Sequence, residues 1–419
     1  MGWVMATAVA RLRNGDWLDR RRMRLFAAVL LAAQIGFFLF VVAGTHGWIV
    51  TLTGPTTTDF VSFYAAGVLA DTGTPALAYH QAAHLAAEEN VTAAGIQYQF
   101  FYYPPVYLIL CGVLAQLPYL LAFVAFAAAT LAAYLLVMRR ILDDHSGTAL
   151  VVMLAFPSVF WNIGLGQNAF LTAALFGGAT LLIDRRPIAS GLLFGALCYK
   201  PHLGLLVPVA LAAGGYWRAF AAAGVSVAGL VFASAALFGW QTWSDYLVAA
   251  GGAHSMYESG RILFAGFISA FGAVRLIGGD VTLAYMVQAG ASLAAVVLVA
   301  VAWRFGLSLP VRAAALASAT LVAAPLSLLY DLMLATIAVA WLVRANRTAP
   351  APAWETTVLA ALFVALLNAR NLAEDFHLPM TFVAAIALFA LVARRAWREL
   401  AAPSPAVVRP MPAGGGLSR

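Results

Sequence analysis

The chain has 419 residues, of which 63% are hydrophobic and only 10% charged, and its mean hydropathy is +0.89. These values exclude an ordinary soluble domain and require most of the chain to lie in lipid or in a lipid-embedded core. The formal net charge of +7 comes mostly from arginines in short connecting segments, a signature of membrane orientation rather than of nucleic-acid affinity.

Arg20, Arg21, Arg22 and Arg24 precede the first long apolar run. That order reads as an uncleaved first crossing over about 25–44, entered from the cytoplasm. A long external segment, about 45–118, follows. It carries amphipathic stretches around 59–71 and 80–94, expected as interfacial helices. The run Pro105 to Leu117 is apolar but short. Counting it as a crossing would put Arg139 and Arg140 outside, so it is expected to lie in the outer interface or re-enter under protein cover.

The remaining runs pair off between arginine clusters. Segment 119–138 returns to Arg139, and 148–162 with 168–183 leads to Arg185 and Arg186. Segments 187–199 and 201–214 lead to Arg218; 219–238 leads out and 281–303 returns to Arg304. Segments 312–325, 329–343, 356–369 and 379–393 complete about twelve crossings, with both termini cytoplasmic. The second external loop covers about 239–279, with the apolar stretch 262–277 treated like 105–117. The expectation is an all-α polytopic membrane protein, one integral-membrane domain over 1–402 with a disordered tail over 403–419. Several runs are shorter than the roughly 20 residues of a straight span. A hairpin that stops short leaves room for a cavity at membrane depth, a feature that a transporter or flippase of lipid-linked sugars would share. No internal repeat supports the transport reading.

Polar residues at the expected outer ends are the candidates for chemistry. Asp59 stands among aromatics in Thr57-Thr58-Asp59-Phe60-Val61-Ser62-Phe63-Tyr64. A carboxylate is expensive there, and a general base is the reading that accounts for it. A helix cap for the segment beginning at Phe60 is the structural alternative. Lys200 is the only lysine among 24 basic Lys and Arg side chains; a lipid phosphate would suit it, with His202 beside it. Arg261, after Ser259-Gly260, is a second phosphate ligand candidate. Gln167, Asn168, Tyr330 and Asp331 sit at outer turns; the alternative to substrate contact is helix capping for Gln167 and Asn168, and a cap or a partner for a structural arginine for Asp331. His80 and His84 have metal-compatible i, i+4 spacing, but no third ligand accompanies them, so a surface pair is expected. Cys111 and Cys198 lie inside apolar runs and read as packing residues. No metal and no cofactor is called for.

The sequence resembles the polytopic GT-C type glycosyltransferases, in particular glycosyltransferase family 87, which includes polyprenyl-phosphate-mannose-dependent mannosyltransferases. The residues that carry the resemblance are Asp59 to Gly67, Tyr103-Pro104-Pro105, Gly166-Gln167-Asn168, Ala189 to Gly195, and Lys200-Pro201. The resemblance implies a GT-C fold and a catalytic aspartate in the first external loop, the position of Asp59. It also implies a sugar carried on a polyprenyl phosphate at the outer face of a bacterial cytoplasmic membrane, and a glycolipid or glycan acceptor. Under it, Tyr103, Lys200, His202 and Arg261 would hold the donor phosphate, and Tyr64, Gln167, Asn168, Tyr330 and Asp331 the substrates. The segment Leu326 to Asp331 departs from the family pattern.

Overall fold

The computed structural model describes residues 2–43, 45–46, 49–50, 58–258 and 263–402. Arg261 and the tail 403–419 lie outside the described residues. Six helices are long and apolar enough to cross a bilayer: Arg20–Val41, Tyr119–Leu142, Trp217–Phe238, Val281–Arg304, Glu355–Phe376 and Met380–Ala401. A helix pair, Gly147–Leu154 and Pro157–Leu165, is bent by 56° and makes a seventh if counted as one span. Pro157 explains the break, since it donates no N–H and its ring excludes a continuing turn. Other expected crossings fall on apolar helices of 10–17 residues, among them Ala169–Leu182, Pro187–Tyr199, Pro201–Ala213 and Leu309–Ala323. The chain is therefore a helical, multi-pass membrane protein in which short helices are enclosed by longer ones. Leu309–Ala323 shows this most fully, being buried from Val311 to Ala323.

The arginine-bearing ends meet at one end of the bundle. Arg347 pairs with Asp143 at 2.7 Å, and Arg344 donates to the carbonyls of Arg140 and Ile141. Arg20 stands 4.0 Å from Asp144. Arg395 reaches Glu355 at 3.1 Å and also Asn346, while Glu399 accepts from Ser308. Arg312 binds both oxygens of Asp184 at 3.2 Å and donates to Tyr216 at 2.6 Å. Charges at the rim of an apolar bundle are thus satisfied by carboxylates and by carbonyls at helix C-termini, as the helix dipole favours. The N-terminal helix Gly2–Asn14 closes this end, since Trp354 donates its N–H to the Arg13 carbonyl at 2.6 Å. Nothing in the apolar pattern had marked that helix.

The long first external segment is folded rather than spread along an interface. Phe60–Asp71 is a helix, but Phe60, Val61, Phe63, Ala65 and Ala66 bury its first two turns on all sides. It therefore has no apolar stripe to lay on lipid, and it packs against Val106–Ala115. The crossing is close: a β-carbon on Gly67 would collide with the carbonyl oxygen of Cys111. Gln81–Val91 forms a third helix of this unit. The first part of the expected external loop over about 239–279 is the helix Trp240–Glu258, and Ala369–Phe376 is helical between the expected crossings 356–369 and 379–393. Both stretches hold enough helix-forming residues to close their own backbone hydrogen bonds.

Gly67→Ala is expected to lower stability by about 1–3 kcal/mol, because the opposing group is backbone and cannot rotate away. Gly36→Ala, which meets nothing within 4 Å, should leave the melting temperature in detergent unchanged. Equal behaviour of the two variants would count against the close crossing.

Candidate functional site

Gly166 ends the helix Pro157–Leu165 in the left-handed region, at φ 68°. This glycine is required twice over: the dihedral penalises a β-carbon, and such an atom would stand 2.7 Å from Cβ of Phe60. The resulting turn brings the Leu165 carbonyl to the Asp59 N–H at 2.8 Å. It also delivers Gln167, whose Nε2 donates to Asp59 Oδ2 at 2.8 Å. The other end of the same amide, Oε1, accepts from the Tyr103 hydroxyl at 3.2 Å. Asp59 makes no side-chain cap to the helix it precedes. Its carboxylate is turned to Gln167 instead, which removes the capping alternative.

Burial pushes the Asp59 carboxyl above its usual range. The hydrogen bond from Gln167, then the charges of Arg370 and Lys200, pull it part of the way back. Burial also drives the Tyr103 phenol well above its usual range, so that it remains a donor to Gln167.

Asp59 opens into a cavity of about 440 Å³ that is also lined by Tyr103, Gln167, Lys200, His202, Tyr330 and Asp331. Asp59 and Tyr103 come from the first external segment, and Gln167, Lys200, His202, Tyr330 and Asp331 from the turns between short apolar helices. Lys200 follows the turn Leu197–Tyr199, and Asp331 lies in the turn Leu329–Leu332. The two form a buried pair at 2.8 Å, with side chains 3% and 2% exposed. The Tyr330 ring lies 4.7 Å from the ammonium, a distance for cation–π attraction. Asp331 is itself anchored, since its Oδ2 accepts from the Leu328 N–H at 3.2 Å. Asp331 is thus the counter-ion of Lys200 and the cap of its own turn.

The other candidates are distributed differently. Asn168 is fully buried, packed with Tyr103 and Tyr107, and does not line the cavity. Tyr64 lies on a separate outer groove and donates to the Leu117 carbonyl at 2.9 Å. His202 lines the cavity with an Nε2 that has no hydrogen-bond partner among the described residues. His84 is not at the surface as the spacing suggested but fully buried, while His80 faces Asp245 at 3.3 Å. Among the described residues, His, Cys, Asp and Glu form no group of three. Gln99, Phe100, Tyr102 and Tyr246 also line the wall. Of these, Gln99 and Tyr246 carried no signal in the sequence. A further cavity of about 300 Å³ reaches from Leu332 toward Arg20 and Asp144. Its wall is apolar, and its two charged residues face each other, so it offers no acid, base or free cation for a reaction.

The Lys200–Asp331 pair makes a stability prediction. Asp331→Ala should cost about 3–5 kcal/mol, because a buried ammonium is left uncompensated. Lys200→Met with Asp331→Asn removes both charges and keeps the cap; it should recover most of that loss in a thermal-unfolding assay. A double variant as unstable as the single one would show that the pair is not the source of the cost.

Comparison with known proteins gives a match to glycosyltransferase family 87 over residues 101–330, more than half of the 419 residues. No curated protein and no solved structure matches. The matched stretch contains Tyr103, Gln167, Lys200, His202 and Tyr330; Asp59 precedes it and Asp331 follows it directly. By that match, this multi-pass membrane protein belongs to glycosyltransferase family 87.

Proposed function

We propose that this glycosyltransferase moves a sugar from a polyprenyl-phosphate carrier to a hydroxyl of a glycolipid or glycan, on the outer face of a bacterial cytoplasmic membrane. The observation that carries the reading is one cavity holding an oriented, buried carboxylate and a buried ammonium. It lies at the hairpin ends away from the arginine cluster. Arginine-rich ends favour the cytoplasm, which supports an outer position for the cavity, twelve crossings, and residues 1–402 as one catalytic unit. Nucleotide sugars are absent from that side, so a membrane-borne donor fits.

Asp59 takes the proton of the acceptor hydroxyl as its oxygen attacks the anomeric carbon. The bond from that carbon to the phosphate oxygen breaks, and the leaving phosphate carries the negative charge. Lys200 offers that phosphate a cation, with Tyr103 and His202 in the same wall. One base, acting on the face opposite the leaving group, produces inversion without a covalent intermediate. The resemblance favours mannose as the donor sugar.

Asp59→Asn should insert and fold, and transfer sugar about 10²–10⁴-fold more slowly. Its amide oxygen still accepts from Gln167, while no charge is buried. The sign of the linkage follows. A raised carboxyl value means the folded state holds its proton longer, so ionisation of Asp59 lowers stability as pH rises from the ordinary value of 3.8 through the raised one. Asn should therefore melt no lower than wild type at neutral pH. The wild-type rate should fall as pH drops through that same raised value, because the base is lost. Turnover with a synthetic polyprenyl-phosphate sugar and extracted acceptor lipid measures both effects. An Asn variant with wild-type turnover would remove the base from the mechanism.

The orientation has its own test. Single cysteines at Arg185, Arg218 and Arg347 should resist a membrane-impermeant thiol reagent in intact cells. A cysteine at Gln99 should react. Labelling at Arg185 from outside would reverse the orientation.

A further inference from the structure

Behind the cavity wall lies a pair of titratable groups that the transfer mechanism does not use. His84 and Glu88 stand one turn apart on the helix Gln81–Val91, and both are fully buried. His84 Nδ1 and Glu88 Oε1 face each other at 3.5 Å. Each group also holds a different piece of the site. His84 Nε2 is 3.1 Å from the carbonyl oxygen of Ser62, one turn after Asp59. Glu88 Oε2 accepts from the backbone N–H of Gln99 at 3.1 Å. Ser62 Oγ closes the circuit by donating to the Phe100 carbonyl at 3.2 Å. The rings of Tyr98 and Phe101 lie 5.7 and 5.8 Å from the imidazole. The pair thus connects the Asp59 helix to the strand-like segment that supplies Gln99, Phe100, Tyr102 and Tyr103 to the cavity.

The partners dictate where the hydrogens are. A carbonyl only accepts, so Nε2 must carry a proton toward Ser62. In a neutral imidazole that leaves Nδ1 as an acceptor. Glu88 Oε2 is already an acceptor from Gln99. The approach of Nδ1 and Oε1 is then attractive only if one proton lies between them. Without it, two lone pairs face each other in a site closed to water.

We propose that His84 and Glu88 form a one-proton interlock that positions the Gln99–Tyr103 wall against the Asp59 helix, and that loss of this proton releases the wall. Its effect on transfer rests on the reading of Asp59 as the base. The surroundings favour the neutral pair. Burial pushes Glu88 up to about 8, with Asp59 and Glu89 adding to the rise. Burial pushes His84 down to about 4, against the hydrogen bond to Ser62. Tyr98 faces both as a neutral phenol, its own ionisation driven upward by burial and then by Glu88.

The sign of the pH dependence is fixed by these directions. For Glu88 the interlock loses stability from the ordinary value of 4.5 up to about 8. For His84 it gains stability from about 4 up to the ordinary value of 6.5. The two effects cancel between 4.5 and 6.5, leaving a plateau there and a loosening from 6.5 to about 8. At one decade per pH unit, opening should increase about 30-fold across that last window.

Glu88→Gln tests the idea in the intact protein. Its amide can donate to Nδ1 and accept from Gln99 with no proton to lose. Hydrogen exchange of the segment 97–103, corrected for the intrinsic effect of pH, should loosen between pH 6.5 and 8 in wild type and stay flat in Glu88→Gln. Transfer should decline above about pH 8 in wild type, and this alkaline decline should be absent in Glu88→Gln. Glu88→Ala should exchange rapidly in this segment at every pH. The same pH-dependent loosening in Glu88→Gln as in wild type would overturn the interlock, as would a flat wild type. Exchange depends on the interlock alone. If exchange follows the expected pattern while Asp59→Asn transfers normally, the mechanism fails and the interlock stands.

Discussion

The hydrogen bond from Gln167 Nε2 to Asp59 Oδ2, at 2.8 Å, organises the cavity end of this protein. It joins two parts of the chain that are 108 residues apart: the segment leading into the first external helix, and the turn after a bent helix pair. Several features exist to make that meeting geometric rather than accidental. Gly166 adopts a conformation closed to most side chains and lets Phe60 approach. The Leu165 carbonyl fixes the Asp59 backbone. Tyr103 holds the far end of the Gln167 amide and so decides which end faces the carboxylate. An ionised group among aromatic rings is costly unless donors are set in place for it. Here the donor is held from behind by a phenol, which belongs to the same aromatic core that buries Phe60, Phe63 and Tyr107.

The two ends of the bundle handle charge in opposite ways. At the arginine end, guanidinium groups are shared among Asp143, Asp184, Glu355 and helix-terminal carbonyls. Such pairings seal the ends of hairpins and leave little to bind a substrate. At the cavity end, Lys200 has, among the described residues, one carboxylate partner and two aromatic neighbours, Tyr103 and Tyr330. A buried ammonium with one counter-ion retains donors for an arriving anion, because Lys carries three N–H bonds. Buried pairs of this kind seldom add stability over apolar packing. Their presence in a membrane core is more economically explained by chemistry than by folding.

Much of this was readable from the chain because it follows from solvent. Apolar runs and arginine clusters mark the hairpins, and the cost of a lone carboxylate or lysine in such a chain singles out Asp59 and Lys200. Gln167, His202, Tyr330 and Asp331, singled out at outer turns, and Tyr103 of the first external segment all line one cavity. What could not be read is whatever depends on packing direction. Asn168 follows Gln167 directly, yet it points into the core, because one step along a turn reverses the side chain. Tyr64 lies one helical turn after Phe60 and faces another groove. Phe60–Asp71 has the composition of an interfacial helix, but the close approach allowed by Gly67 hides it under Val106–Ala115. Gln99 and Tyr246 lack any periodic or charge signal, and only the folded external segment brings them to the wall. The His80 and His84 pair is the sharpest divergence. His80 is the extended residue that precedes the helix Gln81–Val91, so the i, i+4 spacing does not put it on one helical face with His84, which lies inside the helix and is buried.

The amide of Gln167 has a consequence for the product as well as for the base. It occupies Oδ2 of Asp59, and among the described residues no hydrogen bond occupies Oδ1, the oxygen that would receive the proton in the proposed transfer. A carboxylate with both oxygens free can accept from hydroxyls arriving over a wide arc. One with a single free oxygen, fixed in direction by a locked partner, accepts along one line. In a sugar acceptor the several hydroxyls point along different lines from the same ring. Under the role proposed for Asp59, such a base would select among them by angle, and regiochemistry would follow from how a glutamine is held, even where the pocket contacts the rest of the acceptor loosely.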